Sequence, residues 1–367
     1  MMSLLTELKI ILRKNFYKYA APYGCYLRSE TLFSRLLHCP FLLSPFSLRL
    51  HPDGVELSAA EIRQAVQAAL AEDIGSGDAT TLATVPETAT AKAIMRAREP
   101  LVVAGLDFAA AAFRGVFEFI NRRGDLCESQ KSQNESGCRG TPPAEAEIKI
   151  ERLVKDGQRV NGGDILLKIS GPARAILSAE RVALNFVQRL SGVATLTAQF
   201  VDAIKDTPAQ ILDTRKTTPG WRRFEKYAVT CGGGHNHRLG LFDMVLIKDN
   251  HLAVPQLRDA APNPIAAAVR RAREKFPQLK IEVEADTLEQ AGQAAAAGAD
   301  IILLDNMNPV QLRLAVQKVK GRAKTEASGG VNLAGVQTIA KTGVDFISIG
   351  ALTHSAHAVD IGLDFES

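Results

Sequence analysis

The chain has 367 residues, 46% hydrophobic, 23% charged and 6% aromatic, with a formal net charge of +4, a balance that excludes disordered, collagenous and disulfide-scaffold classes. Its five cysteines, Cys25, Cys39, Cys127, Cys138 and Cys231, form no C-x-x-C pair, so no zinc ribbon or iron–sulfur cluster is expected and a reducing, cytoplasmic setting is. Residues 1–50 carry seven Lys/Arg against Glu7 and Glu30, which leaves 37 basic and 38 acidic residues in the rest; bulk charge therefore offers no nucleic-acid surface, and no apolar run is long enough to span a membrane.

Residues 1–54 stand apart, holding four of the five tyrosines and almost no Ala or Gly. Such a basic, acid-poor segment has the composition of an organellar targeting peptide, and equally of an upstream translation start or a docking tail; it reads as an extension outside the fold. A small α/β domain is expected over 55–170. It opens with Ser58 and Glu61 as a capping box, followed by Ile62, Val66, Ala69 and Leu70 at helical spacing over about four turns. Alternating runs at 88–103, 146–153 and 164–169 read as strands. Between them, 117–143 is rich in Asn, Arg, Gln, Ser, Gly and Glu and reads as a surface loop insertion. Ser178 is a candidate cap for a helix carrying Arg181 and the apolar Leu184, Val187 and Leu190.

From Ala209 onward six apolar, strand-like runs end at Asp213, Lys248, Glu284, Asp305, Ser328 and Gly350, and helical patterns separate the later ones. The last three intervals, 21, 23 and 22 residues, fit consecutive βα units with parallel strands. No G-x-G-x-x-G opens a helix after the first strand, and polar residues spread over six strand ends suit a site at the top of a TIM-like barrel. With six clear units, the expectation is an incomplete barrel over 171–345, with 346–367 supplying the last strand and the C-terminal segment.

Those strand ends carry the chemistry. ILDTRKTTPG (211–220) sets Thr214, Arg215 and Lys216 in a row, a fork and a point charge suited to carboxylates or phosphates. GGGHNHRLGL (232–241) lets backbone approach a ligand while His235, His237 and Arg238 reach it; histidines two apart without a nearby Cys or Glu are a weak zinc signal. Lys248 in DMVLIKDNH is a Schiff-base nucleophile, an anion ligand or a solvated lysine. Glu284 and Asp305 could bind sugar hydroxyls, hold a metal through water or stabilise a developing cation. ASGG (327–330) and SIGALTHS (348–355) have the small residues of phosphate loops. Cations, two carboxylates and two phosphate loops together describe glycosyl transfer from a phosphorylated sugar.

The segments GDATT, ERVALNFVQRLSGVAT, DTRKTTPG, KYAVTCGGGHNHRLGL, LIKDNH, EVEADTLEQ, ILLDN, EASGG and IGALTHS resemble the quinolinate phosphoribosyltransferase family over about residues 55–362. The resemblance implies a small α/β domain packed on an incomplete α/β barrel. It also implies decarboxylating transfer from phosphoribosyl pyrophosphate, with Mg²⁺, onto quinolinate in NAD biosynthesis. It assigns Arg181, Thr214, Arg215, Lys216, His237, Arg238 and Lys248 to the quinolinate pocket, Arg181 reaching a neighbouring subunit of a homodimer with shared sites. It assigns Glu284 and Asp305 to the ribose hydroxyls and Mg²⁺, and Ser328, Gly329, Gly330, Gly350 and Ala351 to the 5′-phosphate. Lys216, Lys248, Glu284 and Asp305 are the expected catalytic groups, the lysines as electrostatic and not covalent participants. The alternatives are a ModD-like paralogue associated with molybdenum transport, a silent phosphosugar-binding protein and a Schiff-base aldolase on a similar barrel.

Overall fold

The computed structural model describes residues 54–116, 147–254 and 263–366; the basic extension and the 117–143 insertion lie outside them. Ser58 caps helix α1 (Ala59–Ile74) in the expected capping box, and Ile62, Val66, Leu70 and Ile74 form its buried stripe. Asp78 caps α2 (Ala79–Thr84). Strand β1 (Thr90–Ala97) and the short β2 (Leu101–Val102) follow, then a helical stretch at 106–116, β3 (Lys149–Arg152), β4 (Arg159–Val160) and β5 (Ile165–Pro172).

Helix α3 (Ala173–Ala203) runs for 31 residues, roughly 46 Å at 1.5 Å per residue. It begins after Pro172, five residues before the cap expected at Ser178. Ser178 is therefore an interior residue, and its hydroxyl donates 2.9 Å to Asp78 Oδ2. The fixed φ of a proline suits the position before a first turn, and the downstream apolar spacing continues unbroken back to Ala173, so nothing required the helix to start at Ser178.

The rest of the chain alternates β6 (Gln210–Leu212), α4 (Arg222–Cys231), β7 (Val245–Ile247), α5 (Asp249–Leu252), α6 (Pro264–Lys275), β8 (Ile281–Ala285), α7 (Leu288–Ala296), β9 (Ile301–Asp305), α8 (Pro309–Val319), β10 (Lys324–Ser328), α9 (Leu333–Ala340), β11 (Phe346–Ser348), α10 (Ala351–His354) and β12 (Ile361–Phe365). Six strands form one parallel sheet in the order β6-β11-β10-β9-β8-β7. The first strand lies beside the last, as in a barrel, but β6 and β7 are not paired. On the free edge of β6, His235 forms a single bridge to Leu212. The sheet is an incomplete α/β barrel, as expected, with its C-terminal strand ends on one side.

A separate antiparallel sheet has the order β12-β1-β5-β3. The segment expected after 345 therefore divides: β11 stays in the parallel sheet, while β12 returns to pair Ala93 with Phe365 and Ala97 with Ile361 on β1. The two sheets meet across α3. Phe108, Phe186, Trp221 and Phe224 pack with ring centroids 4.8 to 6.0 Å apart, two pairs stacked and two edge-on, joining the 106–116 helix and α3 to the start of α4. Gly192 in α3 passes the C-terminal segment closely: a Cβ there would lie 2.0 Å from His357 O.

Alanine usually stabilises a helix interior over glycine by about 1 kcal/mol. Gly192→Ala should instead lower stability by about 1–3 kcal/mol, because backbone must move to admit the methyl group. Urea unfolding of the two proteins checks the sign.

Candidate active site

The loop after β6 is held by a buried charge. Asp213 is fully buried and accepts from Lys226 Nζ, from His237 N at 2.9 Å and from Asn236 Nδ2 at 2.6 Å. Lys226, also fully buried, donates a second bond of 2.8 Å to His237 O. Burial pushes the Asp213 carboxyl up and the Lys226 ammonium down; their mutual attraction opposes both shifts, and the Asn236 and His237 N–H donors oppose that of Asp213. These bonds fasten residues 236–238 onto the end of β6, so DTRK and HNHR face the same opening.

Within that opening Arg215 and Arg238 are close enough for Arg215's charge to lower the Arg238 pKa, after burial as the larger cause. Arg215 Nε is buried without a hydrogen-bond partner. Two like charges that feel one another, one with an unspent donor, favour an anion in this opening. Lys248 follows β7 directly, and its Nζ lies 2.5 Å from Glu284 Oε2 on β8.

Asp305 ends β9 opposite Ser328 of β10 in register. Burial, and then the charges of Glu284 and Asp286, raise its pKa. Asn306, the one non-glycine residue with positive φ among those described, turns its Nδ2 2.6 Å to Asp305 Oδ2 and its N 2.9 Å to Ser328 O. Gly329 must be glycine: its φ is +98°, and a Cβ would lie 2.1 Å from Asn306 Oδ1.

Gly350 and Ala351 begin α10, and Ile349 N donates 2.9 Å to Leu212 O. Lys216 crosses this loop: a Cβ on Gly350 would meet Lys216 Cδ at 2.9 Å, and Thr353 Oγ1 donates 2.6 Å to Lys216 O. Thr214 Oγ1 accepts from Lys216 N at 3.0 Å. Thus the structure gathers Thr214, Arg215, Lys216, Arg238, Lys248, Glu284, Asp305, Ser328, Gly329, Gly330, Gly350 and Ala351 at the strand ends. Arg181 is not among them; it is exposed on α3 with no hydrogen bond or ion pair to any described residue.

Sequence reasoning passed over two carboxyls. Glu282 and Glu326 are fully buried, and burial pushes their pKa values up to about 7 and about 8, Glu282 adding to the shift of Glu326. His237 Nε2 lies 3.0 Å from Glu282 Oε2 and 3.6 Å from Glu326 Oε2. The signal was present in KIEVEAD, where Glu282 shares a strand face with Glu284. By residue type the three could hold a cation. His237 Nδ1 accepts from Arg238 N at 2.8 Å, while none of the four carboxyl oxygens makes a hydrogen bond.

Residues 137–191 and 193–364 match the models of the quinolinate phosphoribosyl transferase N-terminal and C-terminal domains. A nicotinate-nucleotide pyrophosphorylase [carboxylating] from Mycobacterium leprae is 42% identical over 82% of this chain and 96% of its own. This chain belongs to the quinolinate phosphoribosyltransferase family. The chloroplastic member from Arabidopsis thaliana is 39% identical over 84% of this chain and 83% of its own. The solved nicotinate-nucleotide pyrophosphorylase of Francisella tularensis superposes with a TM-score of 0.71 at 37% identity, covering 85% of this chain and 98% of that one. Among the described residues no helix is long and apolar enough to cross a membrane.

Lys226→Met would leave the Asp213 carboxylate buried beside two neutral donors and should cost about 3–5 kcal/mol. Adding Asp213→Asn to it should recover part of that loss, since the uncompensated charge disappears. Denaturant unfolding of single and double variants measures the coupling.

Proposed function

We propose that this chain transfers a phosphoribosyl group from phosphoribosyl pyrophosphate to quinolinate and releases nicotinate mononucleotide, pyrophosphate and CO₂, a step of NAD biosynthesis. The observation that carries the reading is the paired Arg215 and Arg238, with an unpartnered buried Nε, beside the Lys248–Glu284 contact. An acid with two adjacent carboxylates matches that density of cations, and the names of the relatives agree with it.

The ring nitrogen must face C1 of the ribose while Arg215, Arg238 and Lys248 hold the carboxylates. As pyrophosphate leaves, positive charge develops on the ribose, and Glu284 and Asp305 lie where they can stabilise it. Nitrogen attack then gives a pyridinium, whose positive charge stabilises the electron pair left on the adjacent ring carbon when its carboxylate departs as CO₂; a proton taken from water then completes the C–H bond of the product. Ser328, Gly329, Gly330, Gly350 and Ala351 offer the phosphate small side chains and backbone N–H groups.

Mg²⁺ fits the carboxylate side of the opening, because Glu284 and Asp286 crowd Asp305 with like charge that a cation would relieve; Glu284 and Asp305 would hold it. When bound, it supplies charge neutralisation for the departing pyrophosphate. A cytoplasmic setting, following from the cysteine usage, completes the reading.

Incubation with quinolinate, phosphoribosyl pyrophosphate and Mg²⁺ should yield nicotinate mononucleotide and CO₂, with nicotinate a poor substitute because it lacks the departing carboxylate. Equal use of nicotinate, or no turnover of either acid, sinks the proposal. Arg215→Ala should raise the quinolinate KM about 10- to 150-fold, corresponding to roughly 1.5–3 kcal/mol, whereas Asp305→Ala should mainly lower kcat.

The proposal extends to a homodimer with shared sites, supported by Arg181's exposure and lack of a described partner. Mixing inactive Arg181→Ala and Lys248→Ala chains should then restore up to about a quarter of wild-type activity under random pairing. Mixed dimers that form and remain inactive would place Arg181 in its own subunit's chemistry.

A further inference from the structure

Resting on the phosphoribosyl-transfer reading of the site, we infer that Thr353 is a positioning residue, which holds the main chain of Lys216 so that its ammonium stands over the 350–351 turn and meets the phosphorylated substrate. Thr353 is fully buried. Its hydroxyl lies 2.6 Å from Lys216 O and 3.2 Å from Gly350 O. A bond back to residue i−3 is what a threonine in a helical turn makes locally. The single hydroxyl proton serves the shorter contact, however, and that contact joins residues 137 apart in the chain.

Thr353 also closes a circuit. Its carbonyl accepts from Arg189 Nη2, and the same nitrogen lies 2.9 Å from Glu225 Oε1. Glu225, fully buried as well, accepts from Thr218 N at 3.0 Å and from Thr218 Oγ1 at 2.8 Å. Residue 353 therefore grips the loop after β6 twice, directly at Lys216 and through Arg189 and Glu225 at Thr218. Lys216 N is tied to Thr214 Oγ1 at 3.0 Å, so its main chain is held on both sides and only its exposed side chain is free to turn. That side chain runs along the turn: a Cβ on Gly350 would lie 2.9 Å from Lys216 Cδ. Without the Thr353 hydroxyl, Lys216 O has to find water, and moving outward to reach it carries the ammonium off the turn. The cations assigned to the acid, Arg215, Arg238 and Lys248, lie outside this circuit.

Two measurements test this. In hydrogen–deuterium exchange without any substrate, residues 214–218 should exchange about tenfold faster in Thr353→Val than in wild type, with β8 and β9 unchanged, and near the wild-type rate in Thr353→Ser, which keeps the hydroxyl. Unchanged exchange at 214–218, or an equal rise across β8 and β9, overturns the inference whatever reaction the enzyme performs, so its failure is distinct from failure of the function proposed above. In steady-state kinetics Thr353→Val should lower kcat/KM for phosphoribosyl pyrophosphate about tenfold and leave the quinolinate KM within about twofold, with Thr353→Ser returning close to wild type. Added to Lys216→Ala, Thr353→Val should cost less than about twofold more, because the residue it acts through is already gone. A further loss of the full tenfold, or an equal rise in the quinolinate KM, overturns it. Should the valine variant fail to fold, Thr353→Cys, whose thiol is a weak donor, replaces it in both measurements.

Discussion

A buried ion pair between Asp213 and Lys226 determines how the functional strand ends meet. The barrel is open between β6 and β7, and the 232–238 segment occupies the free edge of β6 through one bridge at His235. A single bridge could not fix a register. Asp213 does so by accepting from the backbone of His237 and the side chain of Asn236, while Lys226 neutralises it and grips the next carbonyl. Desolvating two charges costs several kcal/mol, and only a geometry that satisfies their remaining hydrogen-bonding capacity offsets it. Satisfying it here requires the two cationic loops to sit together.

Other polar groups extend the same bracing outward. Arg189 of α3 pairs with the buried Glu225 and donates to the carbonyls of Thr353 and Ala356, and Glu225 accepts from Thr218. Arg222 joins Thr217 Oγ1 to Leu239 O. The loops after β6, before β7 and after β11 are therefore cross-braced through α3 and α4. Rigid support of this kind keeps like charges in place before a ligand arrives and lowers the reorganisation needed when it does.

Much of this was legible in the sequence because strand ends write their chemistry locally. Arg215, Lys248, Asp305 and Ser328 each stand at or just beyond the end of an apolar run, and the observed strands stop within two residues of the expected ends. The capping box at Ser58 was equally local. Ser178 misled because a serine followed by charged residues resembles a cap in a window of four, whereas the helix starts after Pro172 and the Ser178 hydroxyl goes to Asp78, a hundred residues away. Glu282 and Glu326 were missed for a related reason: a glutamate in an apolar strand reads as an exception until the fold reveals that two such exceptions and a histidine converge. Lys226 gave no signal at all, since its role exists only opposite Asp213.

The pairing of β1 with β12 has a consequence for how the chain acquires its structure during synthesis. Ala93 and Phe365 are far apart in sequence, with the whole parallel sheet between them, yet are neighbours in the antiparallel one. A ribosome that has released β1, β3 and β5 has not yet made the strand that covers the outer edge of β1, so that edge stays unpaired while the whole barrel is translated. Contacts so distant in sequence form late, and open strand edges invite association with other chains. Asp364, paired with Arg96 and Arg98 across the finished edge, thus joins a contact that can form only after the barrel strands have been made.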